Sequence, residues 1–543
     1  MATGPAASAA DLPAIIADAI VAGEKRIVIP PGQYRVAPQN REHLRLEGLR
    51  DVEIVAEGVE LICTETTRAI TIVDCQNLTI RGLTIDYDPL PFTQGRIVET
   101  AADFSGFTFE IIEGYPTRGI TQRGKVAVYK ADTGSLRTHT YFGRPVESLG
   151  GNRYRVEKPN QLRSDLGELE PRFGDVVIVA ARHAPGGSIP HAVYMEDSEG
   201  LTFEGVTLYA ANMFGFLEVG CNGSVYRRCV IDRRALDDDL KPRGLRRVRS
   251  LNADAFHSKS AVVGPHYLEC TALYQSDDSF AINGHYHLIT EANGSSLRVL
   301  GKRDASIDLA VGDPVELVAY TGERVPDAVV TAVEPDGNIN QAERDFLQSQ
   351  RMDARMKNNR GLLNDAYRVT LDRSVDLPIG SVIASMNRIG NGFRIEGCTL
   401  GENRSRGILV KSSGVIANNT ITGTWGEAIK VAPEWWWLEA GSSTGVRIEN
   451  NTIRDTRGLP IGVYAKSATG EVSPIGAHRD IVIRGNEITG VPTPAIYITS
   501  TQGLSLEGND IATHPTRRLF PWVANGFGLS KGVGPIHLVN TEE

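Results

Sequence analysis

The chain has 543 residues, more than one conventional domain holds, unless it is a solenoid that grows along a single axis. With 23% charged and 41% hydrophobic residues it has the balance of an ordinary globular protein, which argues against a disordered or fibrous chain. A formal charge of −9 lacks the basic excess of a nucleic-acid partner, and no run of about 18 apolar residues marks a membrane span.

From the N-terminus, Met1 to Ala22 has neither a basic leader nor an apolar core of signal-peptide type. That reading implies a cytoplasmic location, or secretion if a signal has been removed. Asp11 to Ala22 reads as an amphipathic helix placed to cover the open end of a solenoid, where strand edges would otherwise be unpaired.

A six-residue pattern then recurs: an apolar residue, any residue, Gly or Asn, two further residues, and Ile or Leu. Its seven copies place Gly82, Gly205, Gly397, Asn418, Asn450, Gly485 and Gly508 at the third position. The spacings from Gly397 onward are 21, 32, 35 and 23 residues, which suits one solenoid rung with loops of variable length. Alternating apolar residues make a short strand with one buried face, and Gly or Asn admits the positive φ of a corner. Asn419, Asn451 and Asn486 are spaced to stack as a hydrogen-bonded ladder.

The repeat lapses twice, and the phrases Gly174 to Val179 and Gly312 to Val318 within the gaps read as strands of small barrels. The fold class is therefore all-β: a right-handed parallel β-helix with two inserted β-barrel-like domains. The helix is assigned to 1–92, 188–284 and 386–543, and the insertions to 93–187 and 285–385. Gln341 to Asn364 in the second insertion is polar, and either helical or loose. The six cysteines contain no CxxC pair and read as buried free thiols. Arg243, Arg246, Arg247 and Arg249 read as a solvated loop.

Chemistry concentrates between Leu251 and His287, where Asp254, His257, Asp277, Asp278, His285 and His287 fall together. The 23 residues from Asp254 to Asp277 are close to one rung, which would set the two carboxylates on adjacent rungs. Clustered carboxylates repel, so at least one should hold a proton beside ionised partners, as glycoside hydrolysis requires. His285 and His287 have alternation spacing without an evident third ligand, so neither a metal nor another cofactor is assigned.

Several of these phrases together carry a family resemblance. Asp86 to Gly95, Asn252-Ala-Asp254 with His257, and Asp277-Asp278 with Asn283-Gly-His285 resemble glycoside hydrolase family 110. So do Asn403-Arg404-Ser-Arg406-Gly407 and Pro433-Glu434-Trp-Trp-Trp437-Leu-Glu439, so that the resemblance spans nearly the whole chain. It implies an inverting exo-α-1,3-galactosidase on a β-helix with inserted barrels. The Asp arrangement is also similar to the polygalacturonases of family 28, which implies Asp277 as general acid and Asp254 and Asp278 as the pair that activates water. That assignment calls for an acid-to-base separation of roughly 6.5–9.5 Å. Candidate sugar contacts are His257, His285, Arg406, Glu434, Trp436 and Trp437, since pyranose faces pack on aromatic planes. For Arg406 the alternative is a structural ion pair with Glu434.

The expected partner is a glycan or oligosaccharide, and the expected assembly a homodimer. Two hydrolase variants are open, galactosidase-like and polygalacturonase-like. A polysaccharide lyase on the same fold would use calcium in the Asp cluster and a base such as Lys259. A non-catalytic carbohydrate-binding solenoid would not need three carboxylates in one rung.

Overall fold

The computed structural model describes residues 11–102, 105–120, 123–137, 141–157, 170–235, 247–301, 307–358, 363–529 and 533–542. Its body is a parallel β-helix built from three sheets, of 11, 12 and 11 strands. One rung shows how the sequence generates it. Thr202–Glu204 lies in the first sheet, the chain turns at Gly205, and Thr207–Leu208 enters the second. A longer turn then leads to Phe216–Val219 in the third. The next rung repeats the path in register, with Phe203 paired to Tyr226 and Phe216 to Phe256.

All seven corner residues have positive φ, from +55° at Asn450 to +76° at Gly82. Arg228 and Glu269 occupy the same corner on two further rungs at +51° and +56°. The pattern misses those rungs because neither residue is Gly or Asn, and packing of the flanking strands holds each in the left-handed region. Directly after the corner runs a buried ladder. Asn419 Nδ2 donates to Asn451 Oδ1 at 2.9 Å, Asn451 to Asn486 at 3.0 Å, and Asn486 to Asn509 at 2.8 Å. At the other end Cys398 N donates to Asn419 Oδ1, and Cys270 N to Cys398 Sγ at 3.4 Å. The cysteines thus continue the asparagine column, and all six are buried free thiols. Elsewhere in the helix interior Phe216, Phe256 and Phe280 stack with ring centroids 5.1 Å apart.

Two closed six-stranded antiparallel barrels interrupt the helix, one between Phe92 and Ala180 and one between His287 and Ser385. The helix resumes as though they were absent: Ile70 pairs with Val193 across the first, and Tyr267 with Ile395 across the second. Gln341 to Asn364 contains two helices, Gln341–Ser349 and Ala354–Asn358. The first is fixed by a capping box, in which Asn340 accepts from Glu343 N and Glu343 accepts from Asn340 N. At the N-terminus, helix Leu12–Val21 buries Leu12 and Ile16 against the first rungs.

The arginine cluster is not a solvated loop. Arg247 makes two 2.9 Å bonds to the buried Asp86, and Arg249 is fully buried, donating to Tyr129 and to Asn252 Oδ1. Burial of both is possible because each has fixed acceptors. Arg243 and Arg246 lie outside the described residues. Among the described residues no helix is long and apolar enough to cross a membrane.

Asn451→Ala removes the acceptor for both Asn419 N and Nδ2 in a buried column. It is expected to lower stability by about 1–3 kcal/mol, read as a drop in thermal midpoint. An unchanged midpoint would mean that the ladder contributes nothing.

Candidate active site

The carboxylates sit on the turns between the second and third sheets. Phe256 pairs with Phe280 and Phe280 with Ile408, so the residues two before each are also stacked: Asp254, Asp278 and Arg406. Backbone bonds confirm the step, with Ala255 N donating to Asp278 O at 2.8 Å. The 23-residue spacing therefore misassigns the column, since the rung is one residue longer and Asp254 lies in register with Asp278. Asp277 stands beside the column and is the most open of the three, its side chain 21% exposed against 7% and 2% for Asp254 and Asp278.

Each carboxylate has its own partner. Asp254 Oδ2 meets His257 Nδ1 at 2.7 Å, and His257 Nε2 meets Asn283 Oδ1 at 2.9 Å. Phe214 stacks on the His257 ring at 5.1 Å. Asp278 is gripped by Arg406, through Nε at 2.8 Å and Nη2 at 2.6 Å, and accepts from Arg406 N as well. Asp277 pairs with Arg404 through Oδ1 and with Lys125 Nζ through Oδ2 at 3.3 Å. Arg404 is itself fixed by Nε donating to Ser276 O. Behind Arg406, Nη1 reaches Glu434 Oε1 at 2.7 Å, and Lys430 and Lys411 close on the same carboxylate at 2.6 and 3.4 Å.

These contacts separate the protonation states. Burial raises Asp254 to about 6, with Asp278 and Asp277 adding to the rise and His257 opposing it. Burial acts to raise Asp277 too, but Arg404, Lys125 and Arg406 overcome it and hold the group well below the usual carboxylate range. Glu434 is brought down to about 2 against its burial by Arg406, Lys430 and Lys411. The surroundings thus push the two groups apart: Asp254 has its proton affinity raised, whereas Asp277, the expected acid, is held toward the ionised form by its cations.

Ligating oxygens of Asp254, Asp277 and Asp278 lie within 4.8 Å of one another. Two of the three carboxylates already face cations, Asp277 with Lys125 and Arg404 and Asp278 with Arg406, which disfavours a further cation among them.

Of the proposed sugar contacts, three are held elsewhere. Arg406 commits all three guanidinium nitrogens to Asp278 and Glu434, which makes it an ion-pair hub. Glu434 is 1% exposed and enclosed by cations. His285 is equally buried and held by Ser260 and Asp308 against the second barrel. His257 orients Asp254. Trp435 is packed in the core, while Trp436 and Trp437 are half-buried, with Lys430 Nζ 5.5 Å from the Trp436 ring. Sequence reasoning overlooked Lys125, Lys411, Lys430 and Phe214. Lys411 and Lys430 carried a signal, as charges closing or interrupting the apolar strands Ile408–Val410 and Ile429–Val431.

A family described as a right handed beta helix region matches residues 380–511. Alpha-1,3-galactosidase B of Bacteroides thetaiotaomicron is 22% identical over 513 residues, covering 89% of this chain and 77% of that protein. Alpha-1,3-galactosidase B of Parabacteroides distasonis is 22% identical over 571 residues, covering 91% and 83%. Among solved structures, a family 28 exopolygalacturonase of Yersinia enterocolitica aligns with TM-score 0.36 at 10% identity, covering 95% of this chain and 72% of that one. The resemblance to α-1,3-galactosidases read from the motifs is borne out by the two curated relatives.

Because Asp254 is raised from 3.8 to about 6 in the fold, its contribution to stability is present at low pH and lost as pH rises through that window. Asp254→Asn cannot ionise, so its unfolding free energy should fall less than the wild type's over the same interval. Parallel stability curves for the two proteins in urea titrations would show that Asp254 does not hold the proton.

Proposed function

We propose that this protein is a glycoside hydrolase that releases a terminal α-linked galactose, or a closely related sugar, from the non-reducing end of a glycan. One observation carries the reading: oxygens of Asp254, Asp277 and Asp278 lie within 4.8 Å of one another, with burial raising Asp254 and cations lowering Asp277. Such a division of protonation states is what cleavage of a glycosidic bond uses. The galactose identity is supported by the names of the two relatives.

In the proposed reaction Asp277, the most open carboxylate, meets the leaving oxygen. A proton taken up by Asp254, whose affinity burial raises, passes to Asp277 across a cluster whose oxygens lie within 4.8 Å of one another. Transfer leaves Asp277 protonated as acid and Asp254 ionised as base. Asp254 and Asp278 then hold the attacking water between consecutive rungs. As the glycosidic C–O bond breaks, Asp277 gives its proton to the departing oxygen, and the water gives its own to Asp254, which restores the starting state. Inversion is supported by the grip on Asp278: with both oxygens bonded to Arg406, it is a poor covalent nucleophile. Exo action is supported by the barrels, which leave the helix on either side of the Asp254 and Asp278 rungs.

Asp277→Asn should cost at least ~10² in turnover on a substrate with a poor leaving group, with the fold unchanged by circular dichroism. Near-normal turnover would remove Asp277 from the acid role. Proton NMR of the first sugar released from a terminal α-galactoside should show the β-anomer, and an initial α-anomer would mean retention. A product absorbing in the ultraviolet would indicate a lyase, and failure to release any sugar a binding solenoid.

A further inference from the structure

Lys125 reaches the carboxylates from outside the helix. It lies on strand Arg123–Tyr129 of the first barrel, and its Nζ is 3.3 Å from Asp277 Oδ2 and 3.1 Å from Asn252 O. One ammonium thus ties the barrel to the turn before Asp254 and to the turn on the next rung. Asp277 has a cation at each oxygen, and the two differ. Arg404 is a planar fork anchored at Ser276 O, whereas Lys125 is a point charge on a flexible stem, its side chain 24% exposed. Of the pair, Lys125 is the one able to move without disturbing a rung. The other charged groups facing Asp277 are Arg406, Asp254 and Asp278, with His257 behind Asp254.

We propose that Lys125 is a positioning residue of the hydrolytic centre, a cation that the first barrel delivers across the helix to orient Asp277 and keep it charged until substrate is in place. The proposal rests on the hydrolytic reading above. It makes the barrel a working part of the active site, with its docking onto the helix setting the position of Lys125. Burial acts to lower the Lys125 ammonium, and Asp277 is the principal group opposing that, as expected of a mutually dependent pair.

The experiment compares kcat/KM against pH for wild type, Lys125→Met and Lys125→Arg on a terminal α-galactoside, with thermal unfolding of each. As acid, Asp277 works in its protonated form, which Lys125 disfavours. Lys125→Met should therefore move the alkaline limb upward by about one pH unit, while Lys125→Arg, which keeps the charge, should leave it near the wild-type position. A folded Lys125→Met protein without turnover, restored by Lys125→Arg, would equally support the assignment. An alkaline limb unmoved in Lys125→Met, or equal losses in both variants that follow only their loss of folded protein, overturns it. A wild-type protein that releases no sugar overturns the hydrolytic reading instead, and the role of Lys125 with it.

Discussion

The structure depends on one constraint, the parallel register that places each residue about 4.8 Å above its counterpart on the next rung. In the interior this stacks like with like at no electrostatic cost. Phe256 lies between Phe216 and Phe280, and Asn451 between Asn419 and Asn486. In the turns the same register sets two buried carboxylates, Asp254 and Asp278, against each other, an arrangement that ordinary folds avoid. Repulsion there is relieved along the column itself, because the next position is Arg406. What remains, together with burial, raises the proton affinity of Asp254. The unusual chemistry of the cluster is a direct result of regular backbone geometry.

A column can supply only what its own rungs carry. Asp277 stands beside the column, and its two cations come from different places: Arg404 from the next turn of the helix, Lys125 from a barrel 152 residues earlier in sequence. Behind them Glu434 gathers Arg406, Lys411 and Lys430 into one buried network. The orientation of Asp278 is therefore fixed through Arg406 by a residue that touches neither carboxylate. Truncating one member of such a network leaves its partners charged and buried, which is costlier than the pair itself is stabilising.

What the sequence made legible follows the same division. Corners were readable because positive φ selects Gly and Asn, and they were lost at Arg228 and Glu269, where that selection was relaxed. Clustering of Asp254, Asp277 and Asp278 was readable from near-rung spacing. Which two are stacked was not, because a single added residue in a turn shifts the register. Arg406 was read as a sugar contact or an ion-pair partner of Glu434, and it lies in the turn before Ile408–Val410 paired with both Glu434 and Asp278. Lys125 was beyond reach, since no periodicity links a barrel strand to a helix turn. The burial of Arg247 and Arg249 was hidden likewise, because Asp86, Tyr129 and Asn252 are close to them only in three dimensions.

The way the barrels are attached bears on how the chain reaches this state. An uninterrupted rung closes a loop of 26 residues, as between Leu44 and Ile70, whereas the first insertion stretches the step from Ile70 to Val193 to 123. In a flexible chain that adds about 1.4 kcal/mol of closure entropy. Yet the outermost strands of the barrel pair with each other, Phe92 with Ala180, and His287 with Ile383 does the same in the second. A barrel that has already folded returns the chain beside the point where it left, and the rung then closes over a short span. Growth of the solenoid along its axis is therefore kinetically coupled to two local folding events, and a barrel slow to form would leave exposed strand edges on both sides of its seam.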